Sequence, residues 1–139
     1  MSGDIESLTH TQCVDRLAQH DVGRVSVSVD AMPVIVPVLY AIDGDDIVFE
    51  APLDVTLAAA CDHAVIAFEV DHISHAANGG WSVQALGVAN VVRDRDLSRV
   101  PDAGSPGPDL TDTEQRVRLP LERMSGRKSC ATAARARTA

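Results

Sequence analysis

The chain has 139 residues, 45% of them hydrophobic, which is material for one domain with one core and too little for two. It carries 20 Asp and Glu against 12 Lys and Arg, a formal net charge of -8, and so acidic a surface excludes nucleic acid and anionic membranes as partners. Lys128, near the C-terminus, is the sole lysine, so the body of the chain has neither a Schiff-base lysine nor a phosphate-binding P-loop.

The first predicted element is a short amphipathic helix in "LTHTQCVDRLAQHDVGRV". Thr9 and Gln12 have capping-box spacing, Cys13, Val14, Leu17 and Ala18 share one face, and Gly23 is placed to end it. From Arg24 the period changes to two, Val25, Val27 and Val29 alternating with Ser26, Ser28 and Asp30, which predicts a strand with one buried face. "PVIVPVLYAI" reads as a second strand whose Pro33 and Pro37 push it toward an edge or a bulge. Asp43 and Gly44 signal a hairpin into a third strand, "DIVFEA".

The segment Asp54 to His63 favours helix at "LAAAC", with Asp54 as the expected N-cap. "AVIAFEVD" is the fourth strand, followed by a polar loop, "HISHAANGG". The fifth is "WSVQALGVANVV", long enough to bend at Gly87. "RDRDLSRV" is read as a helical turn and "PDAGSPGPDLTD" as a mobile connection. A sixth strand lies in "QRVRLPLERMSG", and residues 128–139 are expected to form a disordered tail outside a domain of residues 1–127. Six sequential antiparallel strands would leave exposed edges as an open sheet, so a mainly β, closed barrel with short helices is expected.

The order of "GRV", "PVIVPVLYAIDGDDIVFEAP", "LAAA", "GWSVQALGVA" and "RLPLERMSGR" resembles the pyridoxamine 5'-phosphate oxidase-like FMN-binding split-barrel family, in particular its small actinobacterial members, over roughly residues 8 to 127. The resemblance implies a homodimer of six-stranded split β-barrels holding FMN, or in some branches a deazaflavin coenzyme or haem, in clefts between the two subunits. By the same resemblance Val36, Pro37, Val38 and Leu39, with Phe49, Glu50 and Ala51, line the isoalloxazine side. Val55, Thr56 and Leu57 lie near the phosphate, and Trp81, Ser82, Val83 and Gln84 reach across from the partner. The implied activity is flavin-mediated hydride transfer to a small substrate that the residues do not name.

The chain departs from the family pattern where the phosphate is expected. Asp54, Val55 and Thr56 stand where flavin-binding members carry Gly, then Ser or Thr, then Lys or Arg, and Leu39 stands where an Asn is common. An N-cap carboxylate occupies the free N–H groups that would meet a phosphate, and it adds a repelling charge. The replacement cation must come from Arg24, Arg116, Arg118 or Arg123. The alternative is a dimeric barrel that has lost the flavin and serves as a non-catalytic binding module.

Other constellations are weaker. His72 and His75 have H-x-x-H spacing but lie in a polar loop without Cys, so no metal is expected. Cys61, Asp62 and His63 are sequence neighbours whose side chains diverge, which argues against a catalytic triad. Glu69 and Asp71 fit the solvent face of a strand, and Arg24 fits an ion-pair partner. Cys13, Cys61 and Cys130 form no C-x-x-C and read as reduced thiols; with no apolar run of membrane-span length and an acidic "MSGDIESLTH" start, the expected location is the cytoplasm.

Overall fold

The computed structural model describes residues 4–51, 55–74, 79–92 and 115–130. In chain order these form β1 (Asp4–Ser7), α1 (His10–Ala18), β2 (Val22–Val29), β3 (Met32–Asp43), β4 (Asp46–Ala51), α2 (Val55–Cys61), β5 (Ala64–Ser74), β6 (Gly79–Val92), β7 (Gln115–Pro120) and β8 (Arg123–Cys130). The strands lie in the order β1-β8-β6-β5-β2-β3-β4-β7, and β7 pairs back onto β6. That last pairing closes a ring of six antiparallel strands, β2 to β7, and leaves β8 and β1 as an extension on β6.

One strand supports both features. Gly79 to Leu86 of β6 pair with β8, and Asn90 to Val92 pair with β7, so the partner changes across Gly87. The expected sixth strand is accordingly two. Leu121 and Glu122 turn the chain between β7 and β8, Leu121 N–H donates to the Asp45 carbonyl at 2.9 Å, and each strand takes its own stretch of β6. Lys128 to Cys130, assigned to a tail by composition, belong to β8. The buried positions change from odd (Val117, Leu119, Leu121) to even (Met124, Gly126) across the turn, a break that a reading as one continuous strand passes over.

Inward-pointing Val25, Val27, Val38, Tyr40, Phe49, Ile66, Phe68, Val83, Val117 and Leu119 fill the barrel, as period-two alternation requires. Tyr40 and Phe68 meet edge to face with ring centroids 5.0 Å apart, and the Tyr40 hydroxyl donates to the Leu17 carbonyl at 2.6 Å. Helix α1 keeps its expected capping box, with Thr9 Oγ1 accepting from Gln12 N–H at 3.1 Å and Gln12 Oε1 accepting from Thr9 N–H at 2.8 Å. It buries Cys13 and Leu17 and leaves Ala18 exposed.

Helix α1 ends at Gln19, and Gly23 instead lies inside β2, where a Cβ would overlap the Phe68 ring. The glycine is there for close packing. Pro33 and Pro37 sit on the part of β3 that pairs only with β2, opposite Ser28 and Arg24, so the missing N–H groups interrupt no second ladder. The Asp43–Asp46 hairpin forms as expected, with Gly44 at φ 65°. Strand β5 runs on to Ser74, so His72 belongs to a strand, while His75 lies outside the described residues, as do Asp54 and the two segments read as a turn and a connection between β6 and β7.

Candidate functional site

The sheet divides between β3 and β4. Tyr40 and Phe49 are the last residues paired in that direction; beyond them β3 follows β2 while Glu50 and Ala51 of β4 follow β7. One lip of the division carries Leu39 and Pro37 on the outer face, and the other carries Glu50, paired in register with Arg116. Leu39 is 44% exposed although it is a leucine in a strand, and its neighbour across β2, Val22, is 53% exposed. An apolar lip facing outward gives a flat ring somewhere to lie.

Strand alternation sorts the site residues expected from sequence into two sets. Val38, Phe49, Leu57 and Val83 are buried in the barrel core, and Val36 and Trp81 pack against it, so these side chains do not face a ligand outside the barrel. Arg24, Pro37, Leu39, Glu50, Ser82 and Gln84 are the outward set. Arg24 lies beside Pro37 in the ladder, and Ser82 and Gln84 lie on β6 opposite Asp71 and Glu69. Ala51, Val55 and Thr56 have backbone positions at the end of β4 and the start of α2, and their side chains are outside the described set. A continuous strand segment cannot offer every side chain to one ligand, which is why the expected block of four on β3 reduces to two.

Trp81 is held by its own chain. The Arg16 guanidinium carbon sits 5.1 Å from its ring centroid, and the His20 ring lies 5.1 Å away at 52°. Both come from α1 or the residues just after it, so the indole is the dock for that helix.

The candidate cations differ in what they already hold. Arg24 lies 3.4 Å from Asp71 Oδ1 and 3.9 Å from Glu69 Oε1, which matches its reading as an ion-pair partner. Burial, and then the neighbouring Asp71, push the Glu69 carboxyl above its usual range, with Arg24 opposing them. Arg118 is engaged by two carboxylates, Asp46 at 2.5 Å and Asp43 at 2.8 Å, and its hydrogen bonds to Asp43 and then Asp46 raise its pKa. Arg116 is half-buried, 3.9 Å from Glu50 Oε2, and its Nε is buried with no hydrogen-bond partner. That unspent donor stands beside the division in the sheet.

Of the two weaker constellations, the H-x-x-H pair has His75 outside the described residues, and in the other His63 Nδ1 lies 3.7 Å from Asp62 Oδ2. Cys61 is fully buried, its thiol pushed up to about 11 by burial and then by Asp62, while His63 is exposed at φ 61°. Asp62 accepts from Val91 N–H at 2.8 Å, a structural role that ties the turn after α2 to β6. Among the described residues no group of three or more His, Cys, Asp or Glu could hold a metal ion, and no helix is long and apolar enough to cross a membrane.

Residues 9–128 match the pyridoxamine 5'-phosphate oxidase family. The chain belongs to that family. Its fold is also that of solved structures from actinobacteria. The FAD binding protein from Mycobacterium smegmatis superposes with a TM-score of 0.69 at 25% identity, covering 90% of this chain and 98% of that one. A conserved protein of unknown function from Corynebacterium diphtheriae gives 0.70 at 28% identity, with 90% and 98% covered. A putative pyridoxamine 5'-phosphate oxidase from Corynebacterium glutamicum gives 0.73 at 22% identity, with 95% and 98% covered, and supports the shared fold. Comparison with curated protein sequences finds no match. The split barrel expected from sequence is thus the observed architecture, closed by six strands and flanked by two more.

Proposed function

We propose that this chain is a homodimeric flavin-binding protein, with FMN as the flavin and a small molecule as the redox partner. The observation that carries the reading is the division between β3 and β4, whose outer lip exposes Leu39 and Val22 beside the unspent Arg116 donor, in a member of this family. The Mycobacterium smegmatis protein of the same fold is an FAD binding protein, which supports a flavin over other planar ligands.

The residues suit such a group. Leu39, Pro37 and Val22 would meet the ring, backbone groups of Glu50 and Ala51 its polar edge, and Arg116 a negative charge. When bound, a flavin supplies hydride or single-electron transfer. The chain's part is to orient the ring and keep water from one face of it; Tyr40 and Cys61, which could otherwise exchange protons, are buried inside the barrel.

A second exposed surface supports the dimer. Leu86 of β6, Ala67 of β5, Ser26 of β2 and Ile35 of β3 form one register row on the outside, with Val88 and Val65 in the next. Ile35 is 68% and Val65 69% exposed. An exposed band of this kind, apolar but for Ser26, is costly to leave in water and suits a self-complementary contact between two copies.

Titration with FMN and FAD, followed by flavin fluorescence and by light scattering for mass, tests both parts. Micromolar FMN binding to a dimer is expected, and Ile35→Glu should give a folded monomer with weakened flavin binding. A protein that ignores micromolar FMN and FAD overturns the flavin reading and leaves the alternative, a barrel acting as a binding module.

A further inference from the structure

Seven Arg and Lys residues fall in the described part of this acidic chain, and five of them have a partner. Arg16 lies on Trp81, Arg24 on Asp71 and Glu69, Arg116 by Glu50, Arg118 on Asp43 and Asp46, and Lys128 lies 3.6 Å from Glu6. The side chains of Arg123 and Arg127 are exposed and make no ion pair or hydrogen bond among the described residues. They stand on the same strand and the same face. Gly126 points inward at Cys13 and Leu8, and Met124 packs on the core, so alternation puts Arg123, Ser125 and Arg127 together on the outside of β8.

The register supplies the rest of the surface. Ser125 lies opposite Gln84 and Arg127 opposite Ser82 on β6, and Ser82 and Gln84 point outward too, because Val83 between them is buried. Two guanidinium groups whose Cα atoms are about 13 Å apart can thus reach toward a centre lined by two hydroxyls and an amide. The acids nearest to it are held elsewhere. Asp71 and Glu69, across β6 on β5, face Arg24, and Glu6 engages Lys128 on the other face of β8. Only Glu122, exposed in the turn before Arg123, adjoins the cluster along the chain.

Among the described residues of this acidic protein five cations are paired and two are left together beside neutral donors, which presents a local positive site in a repelling field. Guanidinium forks favour phosphoryl oxygens, which accept two parallel hydrogen bonds. We propose that the outer face of β8, with Ser82 and Gln84 of β6, binds the phosphate or diphosphate group of a small ligand. The occupant is either the phosphate of the proposed flavin, in which case the site would supply the cation missing at Thr56, or a separate phosphorylated molecule. The anion site itself does not depend on the flavin reading.

Calorimetric titration of the full chain with inorganic pyrophosphate at low salt is the test, using Arg123→Gln, Arg127→Gln, the double variant, and Lys128→Gln, which removes a charge from the opposite face of the same strand. Thermal melts confirm that each variant is folded. Each single arginine change should weaken binding by about tenfold or more, the size of one charge-assisted hydrogen bond. The double variant should lose binding, and Lys128→Gln should bind as wild type. Wild type that takes up no pyrophosphate, a double variant that still binds it, or Lys128→Gln losing as much as Arg127→Gln overturns the site. Parallel titrations with riboflavin, FMN and FAD identify the occupant. Displacement of FMN or FAD by pyrophosphate, with riboflavin unaffected by the variants, makes it the flavin phosphate; pyrophosphate binding without such displacement makes it another phosphorylated ligand. Pyrophosphate binding with no uptake of any flavin upholds the anion site and removes the flavin reading.

Discussion

The guanidinium of Arg16 lies over the indole of Trp81, 5.1 Å from its centroid, and the tryptophan is thereby the seat of helix α1 on strand β6. His20, just beyond the helix end, lies against the same ring, also at 5.1 Å. A tryptophan held this way reports on the docking of α1. Arg16→Ala should destabilise the fold by about 1 kcal/mol, the scale of a half-buried cation–π contact together with its lost stem packing. It should also shift Trp81 emission to longer wavelength as water reaches the ring. Urea unfolding followed by Trp81 fluorescence measures both, and an emission spectrum unchanged from wild type would remove the contact from consideration.

Gly23 carries a second testable constraint. It is buried in β2 against the far end of the Phe68 ring, which an added methyl would overlap, and Phe68 itself packs on Tyr40 and Phe49. Those two rings limit the room that Phe68 has to shift. Gly23→Ala should therefore cost about 1 to 3 kcal/mol, as overpacking of a well-filled core does. The midpoint of chemical denaturation checks it.

How far the sequence discloses this molecule can be seen at such positions. Alternation in "GRVSVSV" and "AVIAFEVD" discloses the strands and their buried faces because period two is a local property of the chain. The turn at Leu121 and Glu122 leaves only a one-residue change of phase, from Val117, Leu119 and Leu121 to Met124 and Gly126, which is easily taken for irregular alternation, and it is β6 that shows two strands sharing one partner. Gly23 looks like a helix stop from one side of the sequence; its neighbour Phe68 is 45 residues away. The candidate site is half-legible for the same reason. Arg24 pairing with Asp71 joins two strands whose register cannot be read from either alone, and the sequence offers no sign that Arg123 and Arg127 are, among the described residues, the cations left without a partner.

The turn between β2 and β3 should be improvable. Asp30 and Ala31 both have positive φ, 53° and 65°, in a two-residue connection between Val29 and Met32. Aspartate tolerates this region, whereas alanine pays for a Cβ crowded by the following carbonyl. Ala31→Gly should raise stability by roughly 0.5 to 1 kcal/mol, the strain relieved less the added freedom of the unfolded glycine. A higher denaturation midpoint at unchanged slope is the expected result.

Alkaline pH should unfold the protein earlier than a barrel of this size would otherwise require, and the reason lies in the core. Burial, and then Asp21, drive the Tyr40 phenol well above its ordinary value; burial, and then Asp62, push the Cys61 thiol up to about 11; burial also raises Cys13, with Arg16 opposing it. Each group keeps its proton in the folded state at a pH where the unfolded chain has already lost it. Their contribution is complete below the unfolded value of about 9 for a thiol and about 10 for a phenol, and it is lost as pH rises toward the folded values. Stability should thus decline between pH 9 and 11 and stay level with respect to these groups from 6 to 8. Cys61→Ala and Tyr40→Phe should each flatten the decline, even though Tyr40→Phe forfeits the 2.6 Å bond to Leu17 and lowers stability at neutral pH by about 1 kcal/mol. Denaturation midpoints measured from pH 7 to 11 for the three proteins decide it, and parallel curves would show that neither proton is involved.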